Sequence, residues 1–109
     1  MTITNALHPE IIGGQTVGAV STDLGTGVII TGSEEGIIEA HVMAYGDAEG
    51  YSVLMAKVYA GGVDGQIEEA VGSGAGGTIV MVSNEIIVRV TGLQGDTINW
   101  AVHLTAMVK

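Results

Sequence analysis

The last stretch of the chain, residues 97–109, alternates between apolar and more polar residues over its whole length. Every second position is apolar: Ile98, Trp100, Val102, Leu104, Ala106 and Val108. A period of two residues is typical of a β-strand that buries one face. The chain has one tryptophan and no phenylalanine, so Trp100 is the largest apolar side chain available to a core. The pattern predicts a long C-terminal strand with Trp100 as its core anchor.

The same alternation predicts two further strands, at residues 36–45 and 51–60, joined by a glycine-flanked turn at 46–50. One face of each strand is a row of Ile, Ala, Val or Leu and is predicted to face the core. The opposite faces carry tyrosine and methionine beside charged residues, a composition enriched where protein surfaces contact partners. We therefore predict an interface on these faces, formed by Met43, Tyr45, Tyr51, Met55 and Tyr59.

Shorter strands are predicted at residues 16–22, 28–31, 78–83 and 86–91, with Ile86, Val88 and Val90 pointing inward. Turns are predicted at 23–27, 32–36 and 84–85, where glycine, aspartate or asparagine accumulates. Residues 61–77 are predicted to be an irregular connection, with a short strand or a helical turn at 66–71. Seven or eight short strands with turn signals about every ten residues indicate an all-β antiparallel sandwich. A jelly roll is preferred over an immunoglobulin-like arrangement.

Residues 1–15 alternate poorly and contain the only proline, Pro9. We predict an extended N-terminal arm over 1–15, and a single β-sandwich domain over 16–109. The apolar residues of the arm need cover, either from their own sandwich or from a neighbouring subunit. Docking on a neighbour is the sharper hypothesis and assigns four arm residues to the interface: Ile3, Leu7, Ile11 and Ile12.

The chain carries twelve acidic and three basic residues, a formal net charge of −9. Nucleic-acid binding depends on Lys and Arg neutralising phosphates, and Lys57, Arg89 and Lys109 are too few to form a basic track. No apolar run approaches the roughly 20 residues that cross a bilayer, and the N-terminus lacks the basic and apolar regions of a signal peptide. We therefore expect neither nucleic acid nor membrane as a partner. Disulfides and thiolate sites are excluded because there is no cysteine.

No catalytic motif stands out. The Gly-Ser-Gly at residues 72–74 lacks the strand-to-helix turn that exposes a nucleophilic serine. The surrounding glycine run lacks the following helix that holds a dinucleotide pyrophosphate. We predict a protein that is not an enzyme, with no catalytic residue and no cofactor.

Metal binding is also not predicted. His8, His41 and His103 lack ligand spacing, and a metal or pH-sensing role for the last two requires their strands to pair or an interface to join them. Acidic pairs occur at Asp47/Glu49, Glu34/Glu35 and Glu68/Glu69 without the order of a calcium loop. Solvated turns are the favoured interpretation of these pairs, with weak cation binding as the alternative.

The run V-R-V-T-G-L-Q-G-D-T-I-N-W-A-V, residues 88–102, resembles a pattern in small β-sandwich structural proteins of tailed bacteriophages. In that pattern one strand ends in V-x-G-x-x-G and the next begins T-I-x-W. A free-standing chain of this size is most similar to the capsid decoration (cement) proteins of that class. The resemblance concerns about 15 residues and contains no chemistry, so it points to a class of protein and not to an activity.

The resemblance implies a virion structural protein, most similar to a head decoration protein that binds and stabilises the outer surface of a capsid. The major capsid protein is then the expected partner, the virion the expected location, and a homo-oligomer, dimer or trimer, the expected state. One alternative is a tail fibre or receptor-binding knob, which would contact a host glycan through loops at Asp47, Asp64 and 72–77. Another is an intracellular β-sandwich of unrelated function.

Overall fold

The computed structural model describes residues 4–7, 12–72 and 76–108, with side chains described from residue 12 onward. These residues form nine strands and no helix, so the predicted all-β antiparallel sandwich is confirmed. The strands are β1 Thr4–Leu7, β2 Ile12–Val17, β3 Ser21–Ile29, β4 Glu35–Gly46, β5 Gly50–Tyr59, β6 Gly62–Gly72, β7 Gly76–Val82, β8 Glu85–Thr91 and β9 Thr97–Val108. In the part of the chain that is described, no helix is long and apolar enough to cross a membrane.

The strands form two sheets. The large sheet has the order β1-β9-β4-β5-β6. β2 also belongs to it: β1 pairs with residues 105–108 of β9, and β2 pairs with residues 97–102 along the same edge of β9. The small sheet has the order β3-β8-β7. The preference for a jelly roll over an immunoglobulin-like arrangement stays a prediction.

The core lies between the sheets and is built from the inward rows of the strands. All six apolar residues of the alternating row in β9 are buried, as predicted, and Trp100 is 1% exposed. Its indole Nε1–H donates a hydrogen bond to Thr16 Oγ1 at 2.9 Å, so the polar atom of the largest core residue is satisfied. Ile86, Val88 and Val90 of β8 are also buried as predicted.

Two glycines allow close packing around Trp100. Gly14 lies opposite Trp100 in the β2–β9 pair, and a Cβ atom there would stand 2.6 Å from Leu24 Cδ2. A Cβ atom on Gly92 would stand 2.6 Å from Thr16 Oγ1 and would also collide with the Gly18 carbonyl. The connection between β8 and β9 can therefore lie against β2 only because residue 92 has no side chain.

The predicted boundary between arm and sandwich, at residues 15/16, falls inside β2. β1 and β2 both pair with β9 of their own chain. They supply hydrogen-bond partners for the backbone groups on the edge of this 12-residue strand that β4 does not cover. Ile12 is half-buried and packs against the core of its own sandwich, so part of its cover comes from its own chain. Its role in an interface stays a prediction. Leu7 pairs through its backbone with Thr105, and its side chain lies outside the description. Ile3 and Ile11 lie outside the described residues.

The predicted strand at 16–22 and turn at 23–27 are wrong. The chain turns earlier, at Gly18, which has φ +79° and donates its N–H to the Asp96 carbonyl. Residues 23–27 lie within β3, because Leu24 and Thr26 both reach the core. The register of β3 on β8 shifts between residues 25 and 29, and there Thr26 Oγ1 donates to the Ile86 carbonyl at 2.7 Å. The β7–β8 turn lies at residues 83–84, one position before the prediction.

The predicted irregular connection at 61–77 is wrong in extent, because β6 occupies residues 62–72 and β7 begins at residue 76. Of the two alternatives for residues 66–71, the strand is confirmed and the helical turn is wrong. The register of β6 on β5 shifts between Met55 and Lys57, where Gly65 adopts φ +62°. This bulge accompanies the contacts of Gln66 with β7. Gln66 Oε1 accepts from the N–H of Ile79 at 2.6 Å, and its Nε2 donates to Thr78 Oγ1 at 2.8 Å. A single side chain, which the sequence did not single out, thus joins the edges of the two sheets.

Candidate functional site: the outer face of the large sheet

The large sheet has an outer face that points away from the small sheet. On β4, β5 and β9 the inward rows are buried and the alternate rows are half-buried or exposed, because successive side chains point to opposite faces. Large apolar side chains on this face, each between 42% and 63% exposed, form what we call the apolar patch: Ile37, Met43, Tyr45, Tyr51, Met55, Tyr59, Ile67, Val71 and Met107.

The register of the sheet makes the apolar patch continuous across four strands. Met43 on β4 lies opposite Ala101 on β9 and opposite Tyr51 on β5. Tyr51 lies in turn opposite Val71 on β6. Side chains directly opposite each other on one face of an antiparallel pair have Cβ atoms about 5 Å apart and contact each other. One row of side chains therefore crosses the whole width of the face without a charge.

Two further rows extend the apolar patch along the strands. Ile37 lies opposite Met107, and Met55 lies opposite Ile67. At the far end of the hairpin the ring of Tyr59 lies over Gly62, since a Cβ atom on Gly62 would stand 2.8 Å from the Tyr59 hydroxyl oxygen. The tyrosine therefore covers backbone that the glycine would leave open.

Polar and charged side chains interrupt these rows, since Lys57 lies opposite Ile37 and Glu39 lies opposite Met55. Lys57 Nζ is 3.8 Å from Glu35 Oε2, and His41 Nε2 is 3.0 Å from Glu39 Oε1. All four side chains are between 40% and 59% exposed, so each pair contributes little to stability. Their effect on the outer face is to give it both signs of charge instead of one.

The two histidines of this face meet. His41 and His103 are direct partners in the β4–β9 register, so their strands do pair, as a joint role of the two histidines requires. With Met43, Tyr51 and Ala101 they line an open depression of about 280 Å³. In the described part of the chain, no group of three histidine, cysteine or acidic residues is placed to hold a metal ion. His8 lies outside that part.

The structure brings together all five interface residues predicted on the hairpin, and each is exposed on the outer face. Their role as an interface stays a prediction. Four members of the apolar patch were not assigned to the interface from the sequence: Ile37, Ile67, Val71 and Met107. Ile67 and Val71 were missed because glycine density led us to treat 61–77 as irregular. Residues 67–71 read I-E-E-A-V, and their apolar positions 67, 70 and 71 do not follow a period of two, so the local pattern carries no clear strand signal.

Several residues of the acidic pairs, for which weak cation binding was the alternative to solvated turns, have structural contacts. Glu34 Oε1 accepts from the N–H and the hydroxyl of Thr31 at 2.8 and 3.0 Å, and these hydrogen bonds hold the pKa of Glu34 below its usual range. Asp47 Oδ2 accepts from the N–H of Thr97 at 2.9 Å and ties the β4–β5 turn to the start of β9. Glu68 and Glu69 are adjacent in β6, so their side chains point to opposite faces.

Of the segments that the glycan-binding alternative treats as loops, one lies in a strand. Asp64 lies in strand β6, opposite Lys57. Asp47 lies in a turn, but its carboxylate is held against β9. Residues 73–75 of the glycine run lie outside the described part of the chain.

Comparison of the chain with protein-family models, with curated proteins and with solved structures found no match.

Proposed function

We propose that this chain is a non-enzymatic structural protein that acts by adhesion through its apolar patch. The observation that carries the proposal is the continuity of exposed Ile, Met, Tyr and Val side chains over β9, β4, β5 and β6. Large contiguous apolar patches on a soluble domain are typical of surfaces that bind another protein. Tyrosine and methionine, which dominate this patch, are enriched in such contacts.

Within that class, we place the chain among the bacteriophage head decoration proteins. The support is the resemblance of residues 88–102 to phage β-sandwich proteins. Its glycine and tryptophan have clear structural roles here: Gly92 lets the connection lie against β2, and Trp100 fills the core. In this function the protein is part of the virion, binds the outer surface formed by the major capsid protein, and is a homo-oligomer.

The first test is whether the protein is present in virus particles. Particles purified on a density gradient from cultures of the source are analysed by mass spectrometry, and antibody against the recombinant chain is located by gold labelling. We expect peptides of this chain in the particles and gold on the heads. Gold on the tails would favour the tail-fibre alternative, and absence from particles would exclude both virion functions.

A second test addresses the adhesive surface. Met43→Lys places a charge in the middle of the apolar patch, whereas Val82→Lys makes the same change at a similarly exposed residue at the end of β7 in the small sheet. We expect Met43→Lys to lose at least tenfold in affinity for particles that lack the protein, and Val82→Lys to bind like the wild type. Equal binding by both variants would remove the apolar patch from the proposed function.

A further inference from the structure

We propose that a second copy of this chain covers the apolar patch, so that two large sheets pack face to face about a two-fold axis. The inference rests on the proposed function in one respect, namely that the apolar patch is the adhesive surface. It adds the identity of the neighbour. The capsid is then contacted by other surfaces of the dimer, and Met43→Lys weakens binding to particles because a monomer has one capsid contact where the dimer has two.

The dimensions of the outer face fit a stable dimer. Four strands about 4.8 Å apart are roughly 19 Å wide, and β4, with 12 residues at about 3.3 Å each, is nearly 40 Å long. Together they give a face of roughly 700 Å². A standard protein interface buries about 800 Å² on each partner, so one copy laid on another would use almost the whole outer face.

The shape of the face suits packing against another sheet. β4 pairs with β5 over ten residues and with β9 over eleven without a register shift. These three strands therefore form a regular surface. The register shift in the β5–β6 pair is a bulge on β6, at the edge of this surface. Two twisted sheets of this kind pack about 10 Å apart with their strands about 30° from parallel. The outer rows of both copies would interdigitate as the inner rows of a sandwich do.

The charges of the outer face are compatible with a second copy. A two-fold contact places one surface against itself, so the surface must be self-complementary. The central row of Met43, Tyr51 and Val71 has no charge. The flanking positions carry four acidic residues, Glu35, Glu39, Asp64 and Glu69, together with Lys57 and two histidines. The face therefore has both acidic and basic groups around its uncharged row, and Lys57 of one copy can approach a carboxylate of the other. A surface of one sign would repel its copy.

The small sheet offers no comparable surface. Its outer positions include the ion pair of Arg89 with Asp23, joined by two hydrogen bonds of 2.6 and 3.0 Å. Ile87 on the same side is already 7% exposed, covered by its own chain. A second copy therefore has its largest available apolar contact on the large sheet.

The experiment is sedimentation equilibrium of the full chain at about 100 µM, a concentration well above a micromolar Kd. We expect a mass twice that of the 11.1 kDa chain. We expect Met43→Lys and Tyr51→Lys to sediment as monomers at the same concentration, and Val82→Lys to remain a dimer. Circular dichroism and melting temperature verify that all three variants are folded. A monomeric wild type, a trimer, or a Met43→Lys dimer would each overturn the inference.

The outcome is separable from that of the proposed function. A wild-type dimer absent from virus particles supports the inference and contradicts the virion function. A wild-type monomer that binds particles, and loses binding on Met43→Lys, supports the virion function and overturns the inference, because the apolar patch then covers a different protein.

Discussion

Trp100 shows how one residue can determine the packing of this small-residue core. Its side chain lies at 1% exposure in a core composed mainly of Ile, Val, Leu and Ala, and its indole N–H is bonded to Thr16. The neighbouring strand has glycine opposite it, which leaves space for Leu24. Volume missing at one position is thus filled by a residue of another strand, and removal of the indole would leave a cavity that none of these small residues can fill.

We expect Trp100→Ala to lower the free energy of unfolding by about 3–5 kcal/mol, the usual cost of deleting a buried aromatic ring. Urea denaturation measures the change. The control is Val82→Ala, because Val82 is 46% exposed at the end of β7 and lies outside the apolar patch, and its cost should stay below about 1 kcal/mol. A loss below about 1 kcal/mol for Trp100→Ala would show that Trp100 does not organise the core.

The pair of Asp23 and Arg89 predicts part of the acid sensitivity of the fold. The hydrogen bonds from Arg89 hold the pKa of Asp23 below its usual range. The carboxylate therefore stabilises the folded state above about pH 4, and this contribution is lost as the pH falls through the lowered pKa. We expect Asp23→Asn to be less stable than the wild type at pH 7 and to differ less from it near pH 3. Denaturation at both values measures this.

Arg89→Gln removes the partner and should reproduce the effect of Asp23→Asn. Both side chains are exposed, so the effect at pH 7 should be small and should shrink further in high salt. If Asp23→Asn were equally destabilising at both pH values, the ion pair would not be its cause.

At the scale of elements, the edges of the two sheets are joined by the side chain of Gln66, which lies beside the bulge in β6. β6 is the last strand of the large sheet and β7 the last of the small one. The N–H of Ile79, which points away from β8, donates a hydrogen bond to the side-chain carbonyl of Gln66. The edge of β7 is thereby protected from pairing with another chain, which is a common function of bulges and covered edges.

We expect Gln66→Ala to lower the free energy of unfolding by about 1–3 kcal/mol, because the half-buried N–H of Ile79 loses its acceptor. Gln94→Ala is the control, since Gln94 is exposed in the connection before β9 and its replacement should change stability by less than about 0.5 kcal/mol. Thermal or urea denaturation distinguishes them. Equal effects would mean that the hydrogen bonds of Gln66 contribute nothing measurable.

At the scale of the whole molecule, stability should decrease from the centre of the large sheet toward β6. β9 and β4 pair on both sides and bury one complete face. β6 is paired only with β5, and its residues 64–72 are exposed. Exposed hydrogen bonds with few buried contacts open with the smallest free energy.

Hydrogen exchange followed by mass spectrometry tests this order. We expect peptides from β4 and β9 to exchange slowest and those from residues 64–72 to exchange much faster. The order should be the same in the monomeric Met43→Lys variant, because it arises within one chain. Protection of β6 equal to that of β9 would contradict the proposed gradient and would indicate that another chain covers the edge.

The sequence alone determined which residues of β4, β5, β8 and β9 point inward. In β4, β5 and β9 one face is buried and the other is open, so burial imposes a period of two that is visible locally. In β8 the inward residues follow the same period, although Ile87 on the other face is also buried. Prediction from the sequence failed where glycine occurs within strands. The glycines of residues 61–72 resemble a loop by composition, yet Gly65 makes a bulge and Gly62 lies under Tyr59.

Only the tertiary structure decided which rows lie side by side. The placement of Met43 beside Ala101 and Tyr51, and of His41 beside His103, depends on pairs of strands far apart in the chain. The same is true of β1 and β2, whose weak local patterns are compensated by the ladder of β9. Local alternation fixes the face on which a side chain lies, whereas long-range hydrogen bonding fixes its neighbours. The apolar patch needs both, since a set of exposed residues becomes a surface only when the strands are in register.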